Sequence, residues 1–378
     1  MPSQLIQNSS PEGQLLLYCS RNFFYLDKDN SHEIKTLLQQ NIDWDYTLQM
    51  GEKHRIIPLI YNCIKLKGAD LISQEIWQDL RKRFHKNTCH NLLITKETLS
   101  LLTKFQLANI SIIPYKGTVF AAKFYGKTAL RQVWDIDFWV TEDNFSQACD
   151  LLTAEGYHVK EVFDREQSFF NSEKNIEVDL HLGFTPFYFP VNIDFALLET
   201  RTQKIEVLNS KVDTFCDEDL LLILCIQIAK DCWERRLHIE HLLKVCDIAQ
   251  LLRNSPNLQW HKVLERSRKQ GSLRILYFGL FLANNLLDAP LPKEIEIMVK
   301  KDSTAVSLAH QVCSNLFSDI DRSFASEENS LLDLKFRWRQ LLFYLKMRER
   351  PQDWWQYFWE TNKTIMKLLI NYINKRNY

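Results

Sequence analysis

The sequence has little glycine and proline, with only 9 Gly and 10 Pro among 378 residues. This scarcity argues against a collagen-like chain, a repetitive β-barrel or long linkers, and it favours helix. The nine cysteines are scattered and form no CxxC pair. We therefore expect no disulfide framework and a protein that works in a reducing compartment.

The sequence also has no excess of charge of either sign, because Lys+Arg and Asp+Glu each total 47. General nucleic-acid binding would need a basic excess or stripe, so we expect none, although a local basic pocket remains compatible. The longest apolar run, from Leu220 to Ile228, is far shorter than the roughly 20 residues that cross a bilayer. No secretory signal pattern opens the chain. These absences predict a cytoplasmic protein without membrane contact.

Hydrophobic residues make up 46% of the sequence, which is enough for a large core. Apolar residues recur at three- and four-residue steps before residue 107 and again after residue 216, which predicts helices in both regions. Between them, the pattern predicts a β-α-β-α-β-β order. The predicted fold class is α+β and predominantly helical: a small mixed sheet at 108–215, flanked by helical regions at 1–107 and 216–378.

The segment WDIDFWV predicts a strand that carries a pair of acids. Alternation places Asp135 and Asp137 on one face, and Trp134 with the other apolar residues on the opposite face. Two carboxylates side by side are costly without positive charge between them. Hard oxygen ligands suit Mg²⁺ or Mn²⁺, although a pair this short also occurs on ordinary solvated strand faces.

The surrounding sequence favours a functional site. About 40 residues later, VDLH places Asp179 and His181 on the polar face of another predicted strand. Upstream, PYKGTVF predicts a strand-to-helix turn that can present backbone N–H groups to a phosphate. Arg131, four residues before Asp135, supplies a positive fork for phosphate oxygens.

The order of these motifs, KG, then R, then DID, then VDLH, resembles the uncharacterised nucleotidyltransferase family, a branch of the polymerase β-like superfamily. The similarity extends over roughly residues 40–290 and departs at Gln227, where the family pattern has His. The resemblance implies that Asp135, Asp137 and Asp179 hold two divalent ions, Mg²⁺ or Mn²⁺. It also implies a phosphate path lined by Lys116, Gly117 and Thr118.

The function that the resemblance implies is transfer of a nucleotidyl group from a nucleoside triphosphate to a hydroxyl-bearing acceptor, with in-line attack on phosphorus. One alternative is transfer of a sugar or another phosphate-activated group from a nucleotide sugar to a peptide or small molecule. A second alternative is a non-catalytic nucleotide-sensing module, which the intact acids argue against. Three acids so close are also expected to repel one another and to burden the fold.

Two further residues have alternative interpretations. Lys230 lies on a predicted helix that is apolar nearly all round, so it either pairs with Asp231 or Glu234 or contacts a triphosphate. His181 is either a partner of Asp179 or a structural polar residue. Near the end of the chain, Trp-rich sequence predicts a helix packed on the body, or a surface that stacks bases or binds a partner.

Overall fold

A computed structural model describes residues 10–23, 31–186, 189, 191–234, 237–314, 316–317, 334–355 and 359. The first helical region consists of α1 (Pro11–Asn22), α2 (Ser31–Leu38), α3 (Trp44–Lys53), α4 (Ile57–Lys67) and α5 (Gln74–Leu107). Side-chain oxygens of Ser10, Asp43 and Ser73 accept backbone N–H groups at the starts of α1, α3 and α5. Pro58 lies in the first turn of α4, where its missing N–H costs nothing.

The middle of the chain forms a mixed five-stranded sheet of order β1-β2-β5-β4-β3. Its strands are β1 (Ile112–Pro114), β2 (Asp135–Val140), β3 (His158–Val162), β4 (Glu166–Asn171) and β5 (Ile176–His181). Strands β2 and β5 are parallel and the other neighbours are antiparallel. Helices α6 (Gly117–Phe124) and α7 (Glu142–Ala154) connect the first strands. A short helix α8 (Phe195–Glu199) and the hairpin of β6 (Thr202–Val207) and β7 (Ser210–Phe215) follow.

The two faces of the sheet have different environments. Alternate residues of β2 and β5, such as Phe138 and Val178, are fully buried in a core that also contains Phe105 of α5 and Leu152 of α7. The intervening residues point to the other face and include the acids of the predicted site. One face is thus wholly apolar, whereas the other carries the acids together with the buried Trp139.

The second helical region packs against the first. It contains α9 (Asp217–Glu234), α10 (Leu242–Asn254), α11 (Trp260–Gln270), α12 (Leu273–Leu287), α13 (Lys293–Lys301), α14 (Ser303–Cys313) and α15 (Leu334–Met347). One apolar cluster runs from Leu15 in α1 to Met347 in α15 and includes Trp139 of the sheet. The α+β, predominantly helical fold is thus confirmed, and the three predicted regions share a continuous core.

The sequence pattern missed several elements. Strand β4, inserted between β3 and β5, and the β6–β7 hairpin were not predicted. Trp134, which was predicted to share a strand face with Ile136, Phe138 and Val140, lies outside β2, because the strand begins at Asp135, and its side chain is 53% exposed. Among the described residues, none of the helices has the length and apolar character to cross a membrane.

Candidate active site

Two acids face each other across neighbouring parallel strands. In the register of β2 and β5, Asp137 pairs with Asp179, Asp135 pairs with Glu177 and Trp139 pairs with His181. Because side chains alternate along a strand, Asp135 and Asp137 share a face, and Asp179 lies beside Asp137. The sheet therefore brings together acids that are more than 40 residues apart in the chain.

Asp137 has two positively charged partners. Lys116 donates to its Oδ1 at 3.2 Å, and Nε2 of His181 lies 3.0 Å from the same oxygen. Nδ1 of His181 is 3.2 Å from an oxygen of Glu166 on β4. Burial opposes protonation of His181, but Glu166 and Asp137 outweigh it and raise its pKa to about 9. Burial likewise disfavours the Asp137 carboxylate, yet Lys116 and His181 hold its pKa well below the usual range.

Asp179 is compensated much less completely. Its Oδ1 is buried and has no hydrogen-bond partner among the residues that the structure describes. Burial, with a further contribution from the Asp137 charge, raises the pKa of Asp179 to about 7. The expectation that the three acids burden the metal-free fold stays a prediction, and it applies best to Asp179, because the charge of Asp137 is paired.

These residues fit a divalent cation. Ligand atoms of Asp137, Asp179 and His181 lie within 4.8 Å of one another. The buried and unpaired Oδ1 of Asp179 is the kind of oxygen that a hard cation satisfies. Glu166 and Asp137 flank His181 and raise its pKa, which favours the protonated ring, and a protonated imidazole suits holding Asp137 in place better than binding an ion.

Asp135 lies at the edge of this group. It is half-buried, it lines the neighbouring cavity, and it is not part of the compact set of Asp137, Asp179 and His181. Burial and the charge of Asp137 raise the pKa of Asp135. Its role as a metal ligand remains a prediction.

The predicted strand-to-helix turn is present between β1 and α6. Lys116 directly precedes α6, and Gly117 begins the helix with a φ of +58°. A side chain there would be strained by that φ and would lie against the backbone oxygen of Asp135, 3.4 Å from its Cβ. The turn thus packs closely against the start of β2. Thr118 is buried, and its hydroxyl has no partner among the described residues.

Asp135 and Asp137 line a cavity of about 380 Å³, within the range of small-molecule sites, whereas Asp179 is not among its lining residues. Its walls carry charges of both signs. The sheet region and the second helical region each contribute both acids and cations, and Arg55, which follows α3, adds a further cation. The charged residues that line it are Arg55, Lys116, Arg131, Asp135, Asp137, Glu166, Lys230, Asp231, Glu240, Lys244 and Asp247.

Arg131 lines this cavity, but its fork is engaged by a protein carboxylate. Its Nε and Nη2 donate to Oδ1 and Oδ2 of Asp247 at 3.0 and 2.8 Å. Tyr125 also donates to Oδ1 of Asp247, at 2.8 Å. Both charged groups are buried, so the pair is an internal ion pair at the cavity wall. Phosphate binding by Arg131 remains a prediction, and this geometry favours a structural role.

Helix α9 contributes two of the predicted polar residues. Lys230 lies 3.1 Å from Asp231, which also pairs with Lys244, and all three line the cavity. Lys230 thus has the predicted ion pair and also faces the cavity. Gln227 donates to the hydroxyl of Tyr115 at 3.4 Å, and the Tyr115 ring meets that of His181 edge-on. The residue that departs from the family pattern therefore adjoins the site.

Sequence reasoning missed Arg55 and Glu166. Glu166 lies on the unpredicted strand β4, opposite His181. Arg55 follows α3 with a φ of +59°, unusual for a residue with a side chain, and its guanidinium lies over the Trp134 ring. No local pattern in the sequence marks Arg55. The positive φ is visible only in the structure.

The Trp-rich end of the chain is described only in part. Trp354, Trp355 and Trp359 are 41%, 77% and 65% exposed. Trp354 nevertheless donates to the carbonyl of Arg348. Of the predicted terminal helices, residues 334–355 and 359 are described and include α15, and the other residues lie outside the described ones.

Comparison with known proteins agrees with this geometry at the level of the family. None of the curated proteins matches the sequence. A family model described as "Uncharacterised nucleotidyltransferase" matches residues 40–288, which contain the acids, the turn at Gly117 and the helices that complete the cavity. The match covers more than half of the chain, and the chain therefore belongs to this uncharacterised nucleotidyltransferase family.

Proposed function

We propose that the protein transfers a nucleotidyl group from a nucleoside triphosphate to a hydroxyl-bearing acceptor. The observation that carries the proposal is the pairing of Asp137 with Asp179 across parallel strands, beside a cavity whose helical wall includes Lys230 and Lys244. Family membership supports a transferase and a donor of the nucleoside triphosphate type. The 108–215 region would be the catalytic module, with the flanking helical regions closing the cavity.

In this proposal Asp135, Asp137 and Asp179 hold divalent Mg²⁺ or Mn²⁺. Such ions neutralise phosphate charge and make a hydroxyl group more acidic. Lys116 and His181 keep Asp137 ionised and oriented. Gly117 and Thr118 begin α6, and a helix start favours phosphate, although only Lys116 of this turn lines the cavity. Lys230 contributes charge from the opposite wall.

The transfer itself breaks one bond and forms another. The acceptor oxygen attacks the α-phosphorus, the bond to the leaving pyrophosphate breaks, and Asp179 takes the hydroxyl proton. Burial raises the pKa of Asp179 to about 7, a value that suits an acceptor for that proton. Catalysis then depends chiefly on positioning and on charge neutralisation.

The first test measures metal-dependent nucleotide binding. Calorimetry with each of the four nucleoside triphosphates, in excess Mg²⁺ and again in EDTA, should give at least about tenfold tighter binding with the metal for the preferred nucleotide. Asp213→Asn, an exposed acid of the hairpin, is the matched control for Asp137→Asn. Equal affinity with and without metal for all four nucleotides would contradict the proposal.

A second measurement separates nucleotidyl transfer from the alternatives. The protein is incubated with α-labelled triphosphates and a metabolite extract, and products are identified by mass spectrometry. An acceptor that gains a nucleoside monophosphate, with release of pyrophosphate, supports the proposal. Gain of a sugar from a nucleotide sugar, with no nucleotidyl product, would contradict it.

A further inference from the structure

A second cavity, of about 470 Å³, lies beside the first. The two cavities share Gln132, Val133 and Trp134, the residues that directly precede β2. Trp134 is half-exposed and is followed at once by Asp135. The two cavities therefore meet at the start of the acid-bearing strand.

Helix α5 provides the charged wall of this second cavity. Lys82, Lys86 and His90 recur at four-residue steps and so lie on one helical face. Both lysines are exposed, and neither makes an ion pair or side-chain hydrogen bond with any described residue. Burial, then the charge of Lys86, lowers the pKa of His90, which leaves a neutral imidazole as a hydrogen-bonding group.

The acids of the second cavity are already engaged. Arg83 donates to Asp79 and to Glu52, each at 3.0 Å. Glu52 also accepts from Gln132, at 3.5 Å. The carboxylates thus neutralise Arg83 and not the two lysines, whose like charges repel each other along the helix. The uncompensated charge in this cavity is positive.

The wall that carries this charge is held rigidly. Asn87 donates to the carbonyl of Ala129, and Asn91 donates to the carbonyls of Thr128 and Arg131. These bonds fix α5 to the segment that leads into β2. The position of the lysines relative to Asp135 is therefore set by the fold.

We infer that the second cavity binds an anionic group, phosphate or carboxylate, of the hydroxyl-bearing acceptor. The inference rests on the proposed function. Lys116 and Lys230 in the first cavity serve the donor phosphates, whereas α5 packs on the opposite face of the sheet. Lys82 and Lys86 hold the acceptor anion, and the acceptor hydroxyl extends past Trp134 toward Asp135. An uncharged acceptor would leave both lysines uncompensated.

The experiment uses the full chain labelled with 5-fluorotryptophan and observed by ¹⁹F NMR. The resonance that Trp134→Phe removes is assigned to Trp134. Titration with inorganic phosphate, and in a parallel arm with succinate, should shift this resonance saturably. The anion that produces the larger shift should bind roughly tenfold more weakly to the double variant Lys82→Ala/Lys86→Ala. Lys96→Ala/Lys262→Ala, which also removes two exposed lysines, should leave it unchanged.

A second control distinguishes the two cavities. Lys230→Ala should leave the anion affinity within about twofold, and saturating Mg²⁺ with the preferred nucleotide should not displace the anion. The inference is overturned if the Trp134 resonance does not shift. It is also overturned if binding survives the double lysine variant, or if Lys230→Ala or the nucleotide abolishes it.

Failure of the proposed function gives a different result. Calorimetry could show no metal-dependent nucleotide binding while anion binding still requires Lys82 and Lys86. In that case the anion site is supported and its assignment to an acceptor is wrong. With nucleotide binding intact and no anion effect, the proposed function stands and this inference falls.

Discussion

Two buried acidic centres adjoin the same cavity, and they differ in how completely the protein satisfies them. Both oxygens of Asp247 on α10 accept hydrogen bonds, from Arg131 and from Tyr125. In the centre on the sheet, Asp137 is paired but Oδ1 of Asp179 has no partner among the described residues. A buried carboxylate whose oxygens all have hydrogen-bond partners holds a fold together. A buried carboxylate with an unpaired oxygen is available to a ligand.

The partners of Asp247 come from elements that it joins. Tyr125 follows α6 and Arg131 precedes β2, so this carboxylate connects the segment that leads into β2 to the second helical region. Asp137 and Asp179 instead lie side by side within one sheet, where backbone hydrogen bonds already fix their strands. Removing either acid from the sheet leaves those backbone bonds in place.

The largest expected effect is on transfer. Asp137→Asn should lower kcat/KM by at least about a thousandfold, because an amide cannot neutralise a divalent ion and the transition state loses its charge clamp. Its Oδ1 can still accept from Lys116, so the protein should remain folded. Labelled-nucleotide transfer and circular dichroism give the two readouts, with Asp213→Asn as control. Undiminished transfer per folded molecule would show that Asp137 is structural.

The matching change at the other centre should affect stability instead. Asp247→Asn leaves the buried Arg131 without a counter-charge and should cost about 3–5 kcal/mol of unfolding free energy, measured in urea. The double variant Arg131→Met/Asp247→Leu, which removes both charges, should recover a large part of that loss. A loss below about 1 kcal/mol for Asp247→Asn would contradict the structural role, since exposed pairs give such values.

Local patterns explain why the helices and the acid-bearing strands could be predicted. Strand β5 alternates clearly, and α12 is recognisable from its apolar run. Strand β4 has no such alternation, and its place depends on pairing with both β3 and β5. The β6–β7 hairpin turns at Leu208 and Asn209, both with positive φ, where sequence rules expect Asn-Gly.

The candidate site follows the same division. Asp135, Asp137 and Lys116 lie in segments whose local pattern suggests their placement. Local sequence does not predict the placement of the residues around them, because Glu166 lies on the unpredicted strand β4 and Arg55 comes from the first helical region. Arg131 was predicted to bind phosphate. No residue near it in the sequence indicates its pairing with Asp247, 116 residues later. Tertiary packing determines these pairings.

A third, smaller effect concerns pH and lies at the helical wall. Nδ1 of His241 donates to the carbonyl of Lys53. Burial lowers the pKa of His241 to about 4, and the charges of Arg55 and Lys244 add to this effect while Glu240 opposes it. The unfolded chain therefore binds a proton before the folded one does, and stability is lost as pH falls from about 6.5 to about 4.

His241→Gln should remove about 2 kcal/mol of that pH dependence, because glutamine does not titrate. Urea unfolding at pH 7 and at pH 4.5 measures the difference for both proteins. His261→Gln, at an exposed position in α11, is the matched control. An unchanged pH dependence in His241→Gln would mean that other groups govern acid unfolding.

The smallest effect is a gain in unfolding free energy, and it tests the comparison of the two acidic centres most directly. In EDTA, Asp179→Asn removes a buried carboxylate whose Oδ1 has no partner and which lies beside Asp137, so unfolding free energy should rise by about 1 kcal/mol. Adding Mn²⁺ should stabilise the wild-type protein and not the variant, because only the wild type retains the full set of ligands. Urea midpoints with and without Mn²⁺ provide the four values, and Asp213→Asn again serves as control. If Asp179→Asn instead lowers the unfolding free energy by 2 kcal/mol or more in EDTA, Asp179 is a structural acid like Asp247. The unpaired Oδ1 then does not distinguish the two centres.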